Sequence, residues 1–186
     1  MAYALKPGKP LAFTYHHNSL AAYTPIAVAI LDAGLVCSAS IPCPGEMGAS
    51  IHIAGTGSSI IDTVFVCRST GSVSRRLISS DSSAIAEMVR QDLVSLSLGG
   101  IKPTAGDIRC VSFGHIVRLA VWFLRQSWNR ETPVTSRIDS VNTWIEKQLG
   151  GVAAVLASLG NEFEAAPSRQ PFLVREESSY YGRNED

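Results

Sequence analysis

The sequence lacks the features that would assign it to a class of protein at once. It has no net charge, with 16 Lys and Arg against 16 Asp and Glu, which argues against binding nucleic acid by bulk electrostatics alone. The four cysteines form no CxxC pair, so a reduced, cytoplasmic setting is expected. Residues 10–31 lack charged side chains but contain two prolines, and neither a membrane span nor a signal peptide is expected.

Common catalytic motifs are also missing. There is no GxSxG nucleophile elbow and no Walker sequence, so the corresponding hydrolases and nucleotide-binding enzymes have no support. The run Gly55–Ser59 is rich in glycine and serine but precedes a predicted strand instead of opening a helix. It is therefore interpreted as a loop, not a phosphate-binding site.

The first third of the chain predicts an α/β arrangement. Short apolar runs indicate strands at Leu11–Tyr15, Leu35–Ile41 and Ile60–Cys67. A helix lies between the first two, starting either at Thr24 or earlier, at Asn18 or Ser19, with Pro25 bending it. Because this region is almost free of charge, the sheet is expected to be buried on both faces.

The second half changes to helical spacing. Apolar residues recur every three or four positions behind three capping signals, which predicts three amphipathic helices, followed by further apolar residues after Gly150-Gly151. The capping signals are Asp81, Thr104 with Asp107, and Ser136 with Asp139. The chain is divided accordingly into an α/β domain at 1–72, a helical module at 73–160 and a charged, flexible tail at 161–186.

The candidate site lies where the first strand ends. Tyr15, His16 and His17 follow this strand, and Glu46 and His52 belong to the loop after the second strand. If these two strands are parallel, both ends meet at the edge where open α/β sheets bind ligands. A metal would need more ligands at suitable spacing, so Tyr15, His16, His17 and Glu46 are predicted to line a substrate. Ordinary loop and cap roles remain the alternative.

One charged residue stands inside a strand. Asp62 interrupts the apolar run of the third strand, where an unpaired buried carboxylate would be costly. It is expected at the mouth of the strand, beside a backbone N–H or a basic side chain. Arg68 is too far along the same strand to be that partner.

Six segments of the chain, taken in order, carry a resemblance to a known family. They are LAFTYHHNS, Asp32-Ala33-Gly34-Leu35, IPCPGEMG, SIIDTVFVCR, Gly106-Asp107-Ile108-Arg109 and Phe113-Gly114-His115. In sequence and order they are similar to the end of the catalytic domain of large adenine-specific DNA methylases that carry a zinc ribbon, and to the helical extension after it. The resemblance covers roughly residues 10–160.

The resemblance implies a particular sheet and a missing half. The three strands would be the last three of a class I methyltransferase sheet, with the final one antiparallel between the other two. The family's glycine-rich S-adenosylmethionine loop and its Asp/Asn-Pro-Pro-aromatic motif are absent, and the chain has no Pro-Pro dipeptide. No residue of this chain is therefore assigned to catalysis, to cofactor binding or to a metal.

The resulting functional hypothesis is a partial enzyme. The chain would be the C-terminal fragment or subunit of an adenine-specific DNA methyltransferase, inactive alone, in a restriction or phage-defence system. A partner chain would supply S-adenosylmethionine binding and catalysis, DNA would be contacted through the complex, and no membrane would be involved. The alternatives are a stand-alone α/β binding or assembly protein and a regulator that competes with a full-length methylase.

Overall fold

Three strands and five helices make up the part of the chain that the structure describes. The computed structural model describes residues 5–6, 9–45, 59–69 and 79–160. Glu46 and His52, the possible strand at 50–53 and the tail at 161–186 lie outside these residues. The elements in chain order are β1 (Leu11–Tyr15), α1 (Leu20–Asp32), β2 (Leu35–Pro44), β3 (Ile61–Ser69), α2 (Ser82–Leu98), α3 (Ala105–Leu124), α4 (Val134–Leu149) and α5 (Gly151–Leu159).

The strands form one sheet in the order β1–β3–β2. β3 is antiparallel to both neighbours, with Phe13 opposite Phe65 on one side and Leu35 opposite Ser69 on the other. β1 and β2 therefore run in the same direction. Parallel strands need a crossover connection, and α1 provides it. The expected α/β class and the antiparallel placement of the last strand are confirmed.

β2 is longer than the sequence predicted. It continues past Ile41 through Pro42 and Pro44, which lie opposite Thr63 and Ile61 of β3. Proline is tolerated here because an edge strand needs hydrogen-bond donors on only one side. A register shift at Ser38 marks a bulge in this strand, and bulges are common on edge strands.

The two faces of the sheet are buried to different extents among the described residues. On β3, Ile61, Phe65 and Cys67 are completely buried, whereas Val64 and Val66 on the other face are half-buried. Val36 of β2, opposite Arg68 on that second face, is buried. The expectation of a sheet buried on both faces therefore holds for the core face and in part for the second face.

α1 begins at the earlier of its two predicted starts. Ser19 is the N-cap, and Pro25 lies inside the helix. Thr24, the other candidate cap, is instead buried within the helix and donates from its hydroxyl to the Asn142 side chain of α4 at 2.9 Å. The sequence offered both starts because proline is also common at a first helical position.

α3 is the central helix of the fold. It packs against β2, β3, α1 and each of the other helices. Gly114 lies so close to the sheet that a Cβ atom there would be 2.3 Å from the Ser40 hydroxyl and 2.8 Å from Thr63 Cγ2. Only glycine allows the helix and the sheet to approach this closely.

The N-terminus of α3 has the capping box that the sequence predicted. The Thr104 side chain accepts from Asp107 N, and the Asp107 carboxylate accepts from Thr104 N at 2.7 Å. The same carboxylate, fully buried, also accepts from the Ser59 hydroxyl at 2.7 Å and from Ile60 N at 2.9 Å. Asp107 therefore joins the start of α3 to the start of β3.

The other predicted caps have different outcomes. Asp81 caps α2 by accepting from Ala84 N at 2.8 Å. The cap predicted at Ser136 and Asp139 is wrong, because α4 begins at Val134 with Pro133 as its N-cap. The fixed φ of Pro133 lets the helix begin one turn earlier without a side-chain cap.

A single hydrophobic core connects the sheet with the helices that follow it. It contains buried residues from α1, β2 and β3 as well as from α2 to α5, including Tyr23, Phe65, Leu93, Leu119 and Ile145. The predicted boundary between residues 72 and 73 therefore divides elements that pack on one another. No helix in the described ranges is both long and apolar enough to cross a bilayer.

We expect Asp107→Ala to lower the free energy of unfolding by about 2–4 kcal/mol, because four buried or half-buried donors lose their acceptor. Asp139→Ala, on the exposed side of α4, is the matched control and should change it by less than about 0.5 kcal/mol. Urea unfolding followed by circular dichroism measures both. Equal stabilities of the two variants would contradict the role given to Asp107.

Candidate functional site

The end of β1 brings three of the four predicted site residues together. Tyr15 is the last residue of β1, and His16 and His17 begin the connection to α1. Because β1 and β2 run in the same direction, the end of β2 at Pro44 lies at the same edge of the sheet. Glu46, the fourth predicted residue, lies outside the described residues, so its position beside the histidines stays a prediction.

Tyr15 faces the protein more than the solvent. Its hydroxyl donates to Ala22 O of α1 at 3.0 Å, and its ring meets that of Tyr23 edge to face at a centroid distance of 4.9 Å. Both contacts fix the angle at which the chain leaves β1 and enters α1. The Tyr15 hydroxyl therefore has a structural partner, and the histidines are the groups that remain exposed at this edge.

His16 is held by the first residues of β3. Its Nδ1 lies 3.0 Å from Ile61 O and 3.6 Å from Asp62 Oδ1. A carbonyl oxygen only accepts, so Nδ1 carries the hydrogen in this contact and Nε2 of the neutral ring is a hydrogen-bond acceptor. The His16 and Asp62 side chains are each 34% exposed.

Asp62 has the basic neighbour that the sequence predicted. That neighbour is His16, the residue after β1, whose approach depends on the pairing of β1 with β3. Gly45, after β2, is also close, since a Cβ atom on it would be 3.1 Å from Asp62 Oδ1. The described chain after β2 therefore ends beside Asp62.

His17 has the opposite hydrogen-bonding polarity. Its Nδ1 accepts from Ser19 N at 3.0 Å, so Nε2 of the neutral ring carries the hydrogen and is a donor. The backbone carbonyl of His17 also accepts from the Cys110 thiol of α3 at 3.5 Å. Two adjacent exposed histidines thus offer one acceptor and one donor, which suits recognition of a polar ligand edge.

A buried polar layer lies beneath the histidines. The Tyr23 hydroxyl is 3.4 Å from Thr63 Oγ1, and both residues are buried. Burial raises the pKa of Tyr23 well above its ordinary value, an effect partly offset by the hydrogen bond to Thr63. Burial likewise raises the pKa of the neighbouring Cys110 thiol. These groups stay neutral near pH 7 and support the exposed edge without carrying charge.

Sequence reasoning missed most of this supporting layer. Thr63, Ser59 and Cys110 have no motif, since each is a single polar residue within or beside an apolar run. Asp107 was recognised as a cap, but its contacts to Ser59 and Ile60 span 47 and 48 positions in the sequence. Such contacts depend on tertiary packing and leave no local signal.

A metal site does not form from the described residues. No group of three or more His, Cys, Asp or Glu side chains in these ranges is placed to hold an ion. His16 lies beside Asp62, but its Nδ1 is hydrogen-bonded to the Ile61 carbonyl at the end of the sheet. The chemistry available here is hydrogen bonding and proton exchange by imidazole.

A polar cavity lies at the end of the sheet opposite the histidines. It has a volume of about 190 Å³ between the α1–β2 turn and the segment after α3. A Cβ atom on Gly34 would be 2.7 Å from the Arg130 guanidinium, and Arg125 lies 3.8 Å over the Trp122 ring. The two arginines therefore have contacts within the chain. The lining residues are Leu31, Gly34, Leu35, Arg125, Trp128 and Arg130.

Comparisons of the chain with models of protein families, with curated proteins and with solved structures gave no match.

We expect the protein to lose stability above about pH 10, because Tyr23 ionises when unfolded but stays protonated when folded. The contribution of Tyr23 to folding stability is fully present below its pKa in the unfolded protein. It is lost as pH rises from that value through the pKa in the folded protein. Tyr23→Phe should therefore lose less stability between pH 8 and 11, by up to about 1.4 kcal/mol per pH unit. Urea unfolding measures both proteins, and parallel declines would contradict the assignment.

Proposed function

We propose that this chain is a C-terminal part or subunit of an adenine-specific DNA methyltransferase. It completes the sheet and the target-side wall of a partner chain, and that partner binds S-adenosylmethionine and performs catalysis. The isolated chain is expected to have no methyltransferase activity. A restriction or phage-defence system is the setting in which such a complex would act.

The observation that carries the proposal is the strand order. The sequence resemblance implied that the last strand would lie antiparallel between the other two, and the sheet has the order β1–β3–β2 with β3 antiparallel to both neighbours. α1 crosses from β1 to β2, and α3 covers the same sheet. This agreement supports the proposal because nothing in the local strand signals requires that order.

The outer edge of β1 supports the proposal that a strand of another chain pairs with it. Among the described strands, β1 pairs only with β3. Leu11, Phe13 and Tyr15 point to the core but are only half-buried, whereas Phe65 beside them on β3 is fully buried. The core therefore thins out at β1, and an edge strand without charge is a template for pairing with another strand.

The described connection after β1 does not favour S-adenosylmethionine binding. The one connection from a strand to a helix that the structure describes in full is residues 16–19, and it contains no glycine. The backbone there cannot approach a ligand as closely as a glycine-rich loop does. The cofactor therefore belongs to the partner in this proposal.

His16 and His17 are assigned to the target side. A base extruded from the duplex is read by hydrogen bonds to its polar edge, and adenine has both an amino donor and ring-nitrogen acceptors. The acceptor on His16 Nε2 and the donor on His17 Nε2 are of matching polarity. Tyr15 positions them through its contacts with α1, and Glu46 is proposed to join them from the loop after β2.

The second candidate is a stand-alone α/β binding or assembly protein. The continuous core favours it, because residues from the sheet and from all five helices already bury one another without a partner. The two candidates differ in what β1 does. A partial enzyme needs a second chain at this edge, and a stand-alone protein does not.

The native protein, purified from its own host with an affinity tag, is expected to bring down a chain carrying the glycine-rich and Asp/Asn-Pro-Pro-aromatic motifs. That chain, co-expressed with this one, should methylate adenine in DNA, while this chain alone neither methylates DNA nor binds S-adenosylmethionine by calorimetry. Alternate amides of residues 11–15 are hydrogen-bonded to β3. The other set should exchange quickly alone and be protected in the complex.

A stable monomer with all amides of residues 11–15 already protected would refute the partial enzyme and favour the stand-alone protein. Cofactor binding by the isolated chain, tighter than about 100 μM, would refute the division of labour between the chains.

The double substitution of His16 and His17 by alanine should reduce methylation by the co-expressed complex at least tenfold while leaving its cofactor affinity unchanged. The loss in folding stability should be about 1 kcal/mol or less, because both side chains are exposed. Asn18→Ala in the same connection is the matched control. Unchanged methylation at equal complex stability would remove the histidines from the target side.

A further inference from the structure

Two buried cysteines face each other across the sheet. Cys37 of β2 lies opposite Cys67 of β3 in the strand register, and both side chains are buried at 1% and 0% exposure. Both are free thiols. They lie on the core face, below α3, on the far side of the sheet from the half-buried Val64 and Val66.

The two thiols interact directly. The Cys37 thiol donates to Ala39 O of its own strand at 3.2 Å. Its interaction with the Cys67 side chain raises the pKa of Cys37, with burial adding to the effect and Arg118 of α3 opposing it. The same interaction lowers the pKa of Cys67, although burial opposes this. Of the two sulfurs, Cys67 therefore forms a thiolate more readily.

The register also satisfies the geometry of a disulfide. Directly opposed residues in an antiparallel pair have Cα atoms roughly 4.5–5.5 Å apart, and disulfides join Cα atoms roughly 4.4–6.8 Å apart. Both side chains point to the same face of the sheet. The opposed positions of Cys37 and Cys67 are therefore compatible with a disulfide between the two strands.

Access to the pair comes through β2. This strand is at an edge of the described sheet and contains a bulge beside Cys37. Edge strands open locally at a smaller free-energy cost than central ones. The proposal requires that such local opening of β2, and not global unfolding, admits a small oxidant such as hydrogen peroxide.

We propose that Cys37 and Cys67 form an oxidisable dithiol, which hydrogen peroxide converts into an intrachain disulfide between β2 and β3. The Cys67 thiolate attacks the peroxide and releases hydroxide, leaving a sulfenic acid. The Cys37 sulfur then attacks the Cys67 sulfur and water leaves. Together with the protons released by the two thiols, one peroxide is reduced to two waters and two thiols are oxidised to one disulfide.

The disulfide would tie the edge strand to the central strand. It closes the loop between residues 37 and 67, which includes the segment that leaves the sheet beside Asp62. Closing a loop restricts the unfolded chain, so oxidised protein should have a higher Tm than reduced protein. This inference does not depend on the proposed function, because it concerns only contacts within the chain.

The test uses Cys43→Ser protein, which lacks the exposed thiol and keeps the buried pair. The protein is treated with hydrogen peroxide and freed of excess oxidant, and its intact mass should then be about 2 Da lower. It is alkylated after this measurement. Peptide mapping should recover the peptides of Cys37 and Cys67 joined, with Cys110 still alkylated. Dithiothreitol should reverse the change and lower the Tm to its starting value.

Two controls make the result specific. Adding Cys67→Ser to the Cys43→Ser protein should abolish the 2 Da loss, whereas adding Cys110→Ser should not. If either variant fails to fold, peptide mapping of the Cys43→Ser protein decides alone. The peroxide dose is one that oxidises Cys43 in the wild-type protein. If Cys37 and Cys67 are still alkylated after this dose, or if a disulfide to Cys110 forms, the proposal is overturned.

Discussion

The fold depends on one buried carboxylate at the junction of helix and sheet. Asp107 accepts hydrogen bonds from the backbone and hydroxyl of Thr104 and from Ser59 and Ile60. A buried carboxylate is tolerated only with such a complete set of donors. Because α3 contacts almost every other element, the position of its first turn determines where the remaining helices pack and where β3 begins.

This junction also connects the fold with the candidate site. β3 starts beside Asp107, and its first two residues, Ile61 and Asp62, hold the His16 ring. One turn after Asp107, the Cys110 thiol reaches the His17 carbonyl. The exposed histidines are therefore positioned from below by the same helix that organises the core, although neither belongs to it.

The sequence predicted the elements whose signals are local. The β-branched run of β3, the periodic residues of α2 and α3 and the capping box at Thr104 were all readable, because propensity and spacing act over a few residues. Predictions failed where tertiary context decided the outcome. The strand predicted at Leu35–Ile41 continues through Pro42 and Pro44, because among the described strands β2 pairs on one side only.

In the candidate site, too, local signals were predictable and tertiary contacts were not. Chain order alone places His16 and His17 at the end of β1. What holds them could not be predicted, because Asp62 reaches His16 only through the register of β1 with β3. The pairing of Cys37 with Cys67 has the same origin. Thirty positions separate them in the sequence, and the bulge in β2 sets which residues meet.

Gly114 has a mechanical consequence for the whole assembly. A side chain there would act as a wedge between α3 and the sheet, against Ser40 on one strand and Thr63 on another. The helix would be displaced from the sheet. Asp107 near its start would then move away from Ser59, and Arg118, one turn after Gly114, would move away from the cysteine pair. A single missing methyl group thus keeps two distant chemical environments in alignment.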